Sequence, residues 1–112
     1  MPDPVLEAAV RRLRAAGCVN AEQEASELLA ASADETELDR AVARRADGEP
    51  LAWITGSMWF GGRRLHVAPG VFVPRRQTEV LARQAAAVLP RRGRVLDLCT
   101  GVGAVTLYRQ CL

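Results

Sequence analysis

Arg94-Val95-Leu96-Asp97-Leu98-Cys99-Thr100-Gly101-Val102-Gly103 places an apolar run carrying one carboxylate directly before a glycine turn. Val95, Leu96 and Leu98 read as a short buried strand. Gly101 and Gly103 allow a sharp turn and close approach of the backbone to a ligand, and Ala104-Val105-Thr106-Leu107 begins a helix. Strand, glycine turn and helix in that order are how open α/β sheets hold nucleotide-like cofactors, and Asp97 lies near the carboxyl end of the strand, where such sheets place their ligands. Alone, the pattern is weak. Thr106 stands three residues after Gly103, so Gly-x-Gly-x-x-Gly is incomplete and a pyrophosphate is disfavoured. A carboxylate beside a glycine turn better suits a cofactor carrying an ammonium and a sulfonium. A dinucleotide-binding fragment of dehydrogenase type is the weaker rival.

Working outward, the chain has 112 residues, 49% hydrophobic and 25% charged, a globular composition. No apolar run approaches the ~20 residues that span a bilayer. The start, Met1-Pro2-Asp3-Pro4, lacks the basic and apolar regions of a secretory signal, so a cytoplasmic protein is expected. All fifteen basic residues are Arg, and the net charge of +2 hides an asymmetry. Residues 1–50 carry six Arg against eleven acidic residues, and residues 51–112 carry nine against two. The basic half has its Arg in scattered pairs, as on a solvated surface, and no direct nucleic-acid binding is expected. Cys18, Cys99 and Cys111 lack zinc-type spacing and are expected as reduced structural thiols, with no metal. His66, on an expected strand, reads as a packing or surface residue.

Three amphipathic helices are expected in residues 1–48. The first is capped by Asp3, has Pro4 at its first position, buries Leu6, Ala9, Val10 and Leu13, and closes at Gly17. In the second, Asn20 and Gln23 form a capping-box pattern ahead of Ala21, Ala25, Leu28 and Leu29. The third runs from Asp34 through Leu38, Ala41 and Val42 to Gly48. Helices this short need one another's apolar stripes. Residues 57–60, Gly61-Gly62 and residues 63–67 read as a β-hairpin with a glycine turn. Trp53, Trp59 and Phe60 are expected to pack between hairpin and helices. A fourth helix, about 77–89, should bury Leu81, Ala85, Val88 and Leu89.

Several stretches together carry a resemblance. Gly48-Glu49-Pro50-Leu51-Ala52-Trp53-Ile54-Thr55-Gly56, Phe60-Gly61, Val67-Ala68-Pro69-Gly70-Val71-Phe72-Val73-Pro74-Arg75, Thr78-Glu79 and Val95 to Gly103 appear in the order and spacing of the protein-glutamine N-methyltransferases of the HemK type. The chain resembles that family by motif over about residues 48–108, and by helical character over 1–47. The resemblance implies S-adenosyl-L-methionine as cofactor and, as protein substrate, the glutamine of a Gly-Gly-Gln motif in peptide-chain release factors. It also implies an α+β chain: a helical N-terminal domain (1–48), a linker with a β-hairpin (49–74), and the first helix-strand-helix of a Rossmann-like class I methyltransferase domain (75–112). In that reading Asp97 orients the cofactor's amino group, and Cys99, Thr100, Gly101, Val102 and Gly103 wrap it with backbone. Arg75 and Thr78 line the nearby wall.

The sequence departs from the family at two places. Where the family usually has Pro-Glu-Thr-Glu after Pro74-Arg75, this chain has Arg76-Gln77-Thr78-Glu79, and where its loop usually opens with glycine, Cys99 stands. The acidic residue expected to hold the ribose and the family's Asn-Pro-Pro-Tyr motif, which grips the substrate glutamine, are not among these 112 residues. The expectation is therefore the amino-terminal part of a methyltransferase, without catalytic activity alone. A non-catalytic module docking on a release factor or the ribosome is the alternative. With a strand at 94–98 that lacks neighbours and only a short helix after it, residues 91–112 are expected to fray or self-associate.

Overall fold

The computed structural model describes residues 1–110, and Cys111 lies outside them. The chain divides into two compact units, Met1–Thr55 and a second that begins at Gly56. Among the described residues they contain six helices and one two-stranded antiparallel sheet, an α+β content.

The first unit is helical: α1 (Pro4–Ala15), α2 (Ala21–Ala31), α3 (Glu35–Ala46) and the short α4 (Leu51–Thr55). Local chemistry sets most of its ends. Asp3 Oδ1 accepts the Val5 amide at 2.9 Å, and Pro4 loses no helical hydrogen bond at the first position. After α1, the Cys18 amide returns to the Leu13 carbonyl and Gly17 adopts φ +92°, the left-handed stop that favours glycine. Gly48 ends α3 in the same way, with Glu49 N–H on the Arg44 carbonyl.

The capping box expected at Asn20 does not form. Asn20 has ψ +46° rather than the extended backbone a capping side chain needs, its side chain makes no cap bond, and Gln23 donates to Glu27 instead. A variant of the box, with the return bond one residue before the N-cap, occurs at α3. There Asp34 Oδ1 accepts the Glu37 amide at 2.8 Å, while Glu37 reaches back to the Ala33 amide at 2.7 Å.

Ala9, Leu13, Ala21, Ala25, Leu28, Leu38, Ala41 and Val42 form the core of this unit, and the alanines let the helices approach closely. Leu51 and Ile54 of α4 pack against the same core, so residues 51–55 lie with the helices. Glu49 fixes that join. It takes Arg44 through two hydrogen bonds, at 2.5 and 2.8 Å, while its carbonyl accepts from Arg45, which also pairs with Glu24. The Arg44 guanidinium holds the Glu49 carboxyl below the usual carboxylate range. Burial first, then a hydrogen bond to Glu24, push the Cys18 thiol up, as befits a structural thiol.

In the second unit, β1 (Ser57–Phe60) and β2 (Arg63–His66) pair with Met58 opposite Leu65 and Trp59 opposite Arg64. Gly61 and Gly62 both have positive φ, as a two-residue hairpin turn demands. Phe60 and Leu65 point inward and pack with Ala82 of α5 (Thr78–Val88) and Ala104 of α6 (Ala104–Gln110). Trp59 corrects one expectation. Strand alternation puts it on the face opposite Phe60, where it is 53% exposed with the Arg64 guanidinium 5.2 Å from its ring. His66 is exposed on β2.

Two further expectations are corrected here. Residues 94–98 are not a strand: the strands among the described residues are β1 and β2, which pair with each other. An extended segment without a partner has no ladder to join, and Leu96 and Leu98 remain 82% and 76% exposed. On α5 the buried position is Ala82, whereas Leu81 and Val88 are exposed. Ala82, Ala85, Ala86 and Leu89 turn instead toward a cavity of about 200 Å³ that Val105 and Thr106 of α6 also line.

Leu28→Ala is expected to destabilise the first unit by about 2–5 kcal/mol, since Leu28 is fully buried and the alanine-rich core has little to collapse into the space; urea denaturation of the chain measures it. Limited trypsin digestion should cut at Arg91, Arg92 or Arg94, which flank the unpaired segment, well before it cuts within α1 or α3.

Candidate functional site

The turn from Asp97 to Gly103 runs into α6. Cys99 takes φ +55°, the sole positive φ at a residue other than glycine among those described, and Gly101 and Gly103 follow at +57° and +78°. The Gly103 amide donates to the Thr100 carbonyl at 2.9 Å, and the Gly103 carbonyl accepts the Leu107 amide at 2.9 Å, which starts the helix. A Cβ at Gly101 would meet nothing within 4 Å, so that side of the turn is open.

Asp97 is the chemical centre of this turn. Thr100 Oγ1 and Thr106 Oγ1 each donate to Asp97 Oδ2 at 2.8 Å. The second carboxylate oxygen, Oδ1, accepts no hydrogen bond among the described residues. A half-buried carboxylate with one oxygen saturated and one open can accept from a cationic donor.

Of the residues singled out from the sequence, Asp97, Cys99, Thr100, Gly101, Val102 and Gly103 thus lie in one turn. Cys99 is exposed there and Val102 packs toward the hairpin core. Arg75 is exposed in the irregular stretch before α5, and Thr78 is the first residue of that helix, its amide on the Arg75 carbonyl at 3.0 Å. Neither side chain hydrogen-bonds to the 97–103 turn.

Three residues near the site escaped the sequence reading. Thr106 counted only as a break in a glycine pattern, yet it is a partner of Asp97. Glu79 accepts the Gly61 amide at 2.9 Å, tying the hairpin turn to α5. A Cβ at Gly61 would overlap the Tyr108 ring, so α6 abuts the same turn. The signal for Glu79 was its place beside Thr78 in the family stretch; for Thr106 and Tyr108 no local pattern existed.

No family model matches the chain. Its sequence is 51% identical to the release factor glutamine methyltransferase of Neisseria gonorrhoeae over 69 residues, covering 62% of this chain and 25% of that protein. It is 51% identical to the protein of the same name from Corynebacterium glutamicum over 72 residues, covering 61% and 25%. To that of Escherichia coli it is 47% identical over 72 residues, covering 63% and 26%. The chain spans about a quarter of the length of these curated relatives.

Cys99 holds a backbone conformation that costs an L-residue roughly 1–2 kcal/mol and glycine almost nothing. Cys99→Gly is therefore expected to stabilise the second unit by about 0.5–1 kcal/mol, after the greater freedom of glycine in the unfolded chain is subtracted. Cys99→Val should destabilise it, and thermal denaturation of the two variants gives the comparison.

Proposed function

By the segment it shares with them, the chain belongs to the release factor glutamine methyltransferases, and from that premise we propose that it is the amino-terminal part of such an enzyme. In this reading residues 1–48 are its helical domain, 49–74 its hairpin linker and 75–112 the start of a Rossmann-like methyltransferase domain. The cofactor is S-adenosyl-L-methionine and the substrate the Gly-Gly-Gln glutamine of a release factor. The observation that carries the cofactor side is Asp97, with Oδ2 taken by two hydroxyls and Oδ1 open beside a turn whose Gly101 flank is clear.

Those residues fit the group. An ammonium needs a carboxylate acceptor, which Asp97 supplies, and a turn without bulk at Gly101 lets the backbone come close. No phosphate has to be neutralised, in keeping with the incomplete dinucleotide pattern. When bound, the cofactor supplies an electrophilic methyl on sulfur. Asp97 would hold the amino group, residues 99–103 would line the methionine portion, and Arg75 and Thr78 belong to the adjoining wall. Transfer to an amide nitrogen depends on alignment with the methyl group, so catalysis is largely positioning. The part this reading assigns to residues 97–103 is holding the cofactor.

The turn and its neighbours supply one wall of such a pocket, and weak affinity is expected of these 112 residues. Titration of the chain with S-adenosylhomocysteine, followed by amide NMR, is expected to give a Kd on the order of millimolar, with shifts at residues 97–106 that Asp97→Ala removes. Shifts indifferent to Asp97→Ala, or tighter binding of NAD in the same experiment, would overturn the reading.

A further inference from the structure

Thr106 makes the one side-chain hydrogen bond, among the described residues, that joins the segment 94–98 to α6. The Thr100 bond to Asp97 is local, three residues apart within one turn, whereas the Thr106 bond spans nine and comes from another element. A threonine in a helix ordinarily turns its hydroxyl to a carbonyl one turn back. Thr106 gives its proton to a carboxylate instead. α6 itself is anchored, because Ala104 is buried with Phe60 and Leu65, so the donor is held by the hairpin packing rather than by the turn it serves.

We infer that Thr106 is a positioning residue for Asp97: with Thr100 it occupies Oδ2, fixes the carboxylate in one rotamer, and leaves Oδ1 as the acceptor for the ammonium of an amino-acid-bearing ligand. This rests on the cofactor reading above and adds to it a residue that selects for the charged amino group. Residues 94–98 have no ladder to hold Asp97 in place, so its side chain depends on the two hydroxyls. Without Thr106 only the local Thr100 bond remains, which does not tie the carboxylate to α6, and the side chain samples its three staggered positions about Cα–Cβ. If one of three is competent, apparent affinity for an ammonium falls about threefold, because it scales with the fraction of competent protein.

Three-bond NMR couplings of the Asp97 β-protons in the 112-residue chain provide the test, independent of any ligand. The wild type should show a single rotamer, Thr106→Val an average, and Thr106→Ser, which keeps the hydroxyl, the wild-type pattern. A second arm uses ligand-observed NMR with S-adenosylhomocysteine, which carries the amino group, and 5′-methylthioadenosine, which lacks the amino-acid portion. Thr106→Val should weaken the first about threefold and leave the second unchanged. An averaged Asp97 in the wild type, or a single rotamer in Thr106→Val, would sink the positioning role while leaving the cofactor reading intact. A lost rotamer with no change in S-adenosylhomocysteine affinity, or no binding of either compound, would overturn the cofactor reading and this inference with it.

Discussion

The second unit depends on Phe60 and Leu65 being buried against Ala82 and Ala104. A two-stranded hairpin is marginal by itself in water, and a helix of seven residues, as α6 is, has almost no stability of its own. Each supplies the apolar surface the other lacks. The hairpin turn adds a polar clasp, the Gly61 amide on Glu79, and a steric one, since only a residue without a Cβ fits beside Tyr108. From this packing follows the position of Thr106 and, through its hydroxyl, that of Asp97. The chemistry of the turn is thus set by hydrophobic burial on the opposite side of α6.

What the sequence made legible were features decided within a few residues. Asp3-Pro4 and Asp34 start helices, Gly17 and Gly48 stop them, and Gly61-Gly62 turns a hairpin, because each requirement is a local backbone conformation or one nearby amide. Asn20 shows the limit of that logic: the residue type is right, but the short connection between α1 and α2 holds its backbone away from the capping geometry. Residues 94–98 fail for another reason. An apolar run specifies a strand only where a neighbour accepts its hydrogen bonds, and composition says nothing of neighbours. For α5, two apolar sides competed, and the small alanine side won the contact with α6 because it permits close approach.

The candidate site divides along the same line. The Asp97–Gly103 turn was legible because glycine and an acid at fixed spacing have few uses. Thr106 was not, since a threonine in the first turn of a helix has many. Motif residues also proved to have separable jobs. Glu49, within the stretch that carried the resemblance, clamps Arg44 and Arg45 where α3 meets α4, and Glu79 holds the hairpin turn. These two residues of the motif stretches therefore serve as scaffolding, through contacts within the chain.

The charge distribution sharpens the role of Asp97. In the first unit four of the six Arg are engaged in internal pairs, Arg12–Asp39, Arg14–Glu22, Arg44–Glu49 and Arg45–Glu24. Residues 51–112 have nine Arg and only two carboxylates, Glu79 and Asp97. Glu79 gives Oε1 to a backbone amide and Asp97 gives Oδ2 to two hydroxyls, so each keeps one oxygen that accepts no hydrogen bond among the described residues, and Asp97 is the one that lies in the glycine turn. A cationic group approaching this part of the chain meets an unfavourable field except within a few ångströms of these two carboxylates, where the local attraction exceeds the screened repulsion of distant guanidinium groups. In the proposed reading, selectivity for an ammonium at this turn is therefore a short-range property, resting on a carboxylate that two threonine hydroxyls hold through its other oxygen.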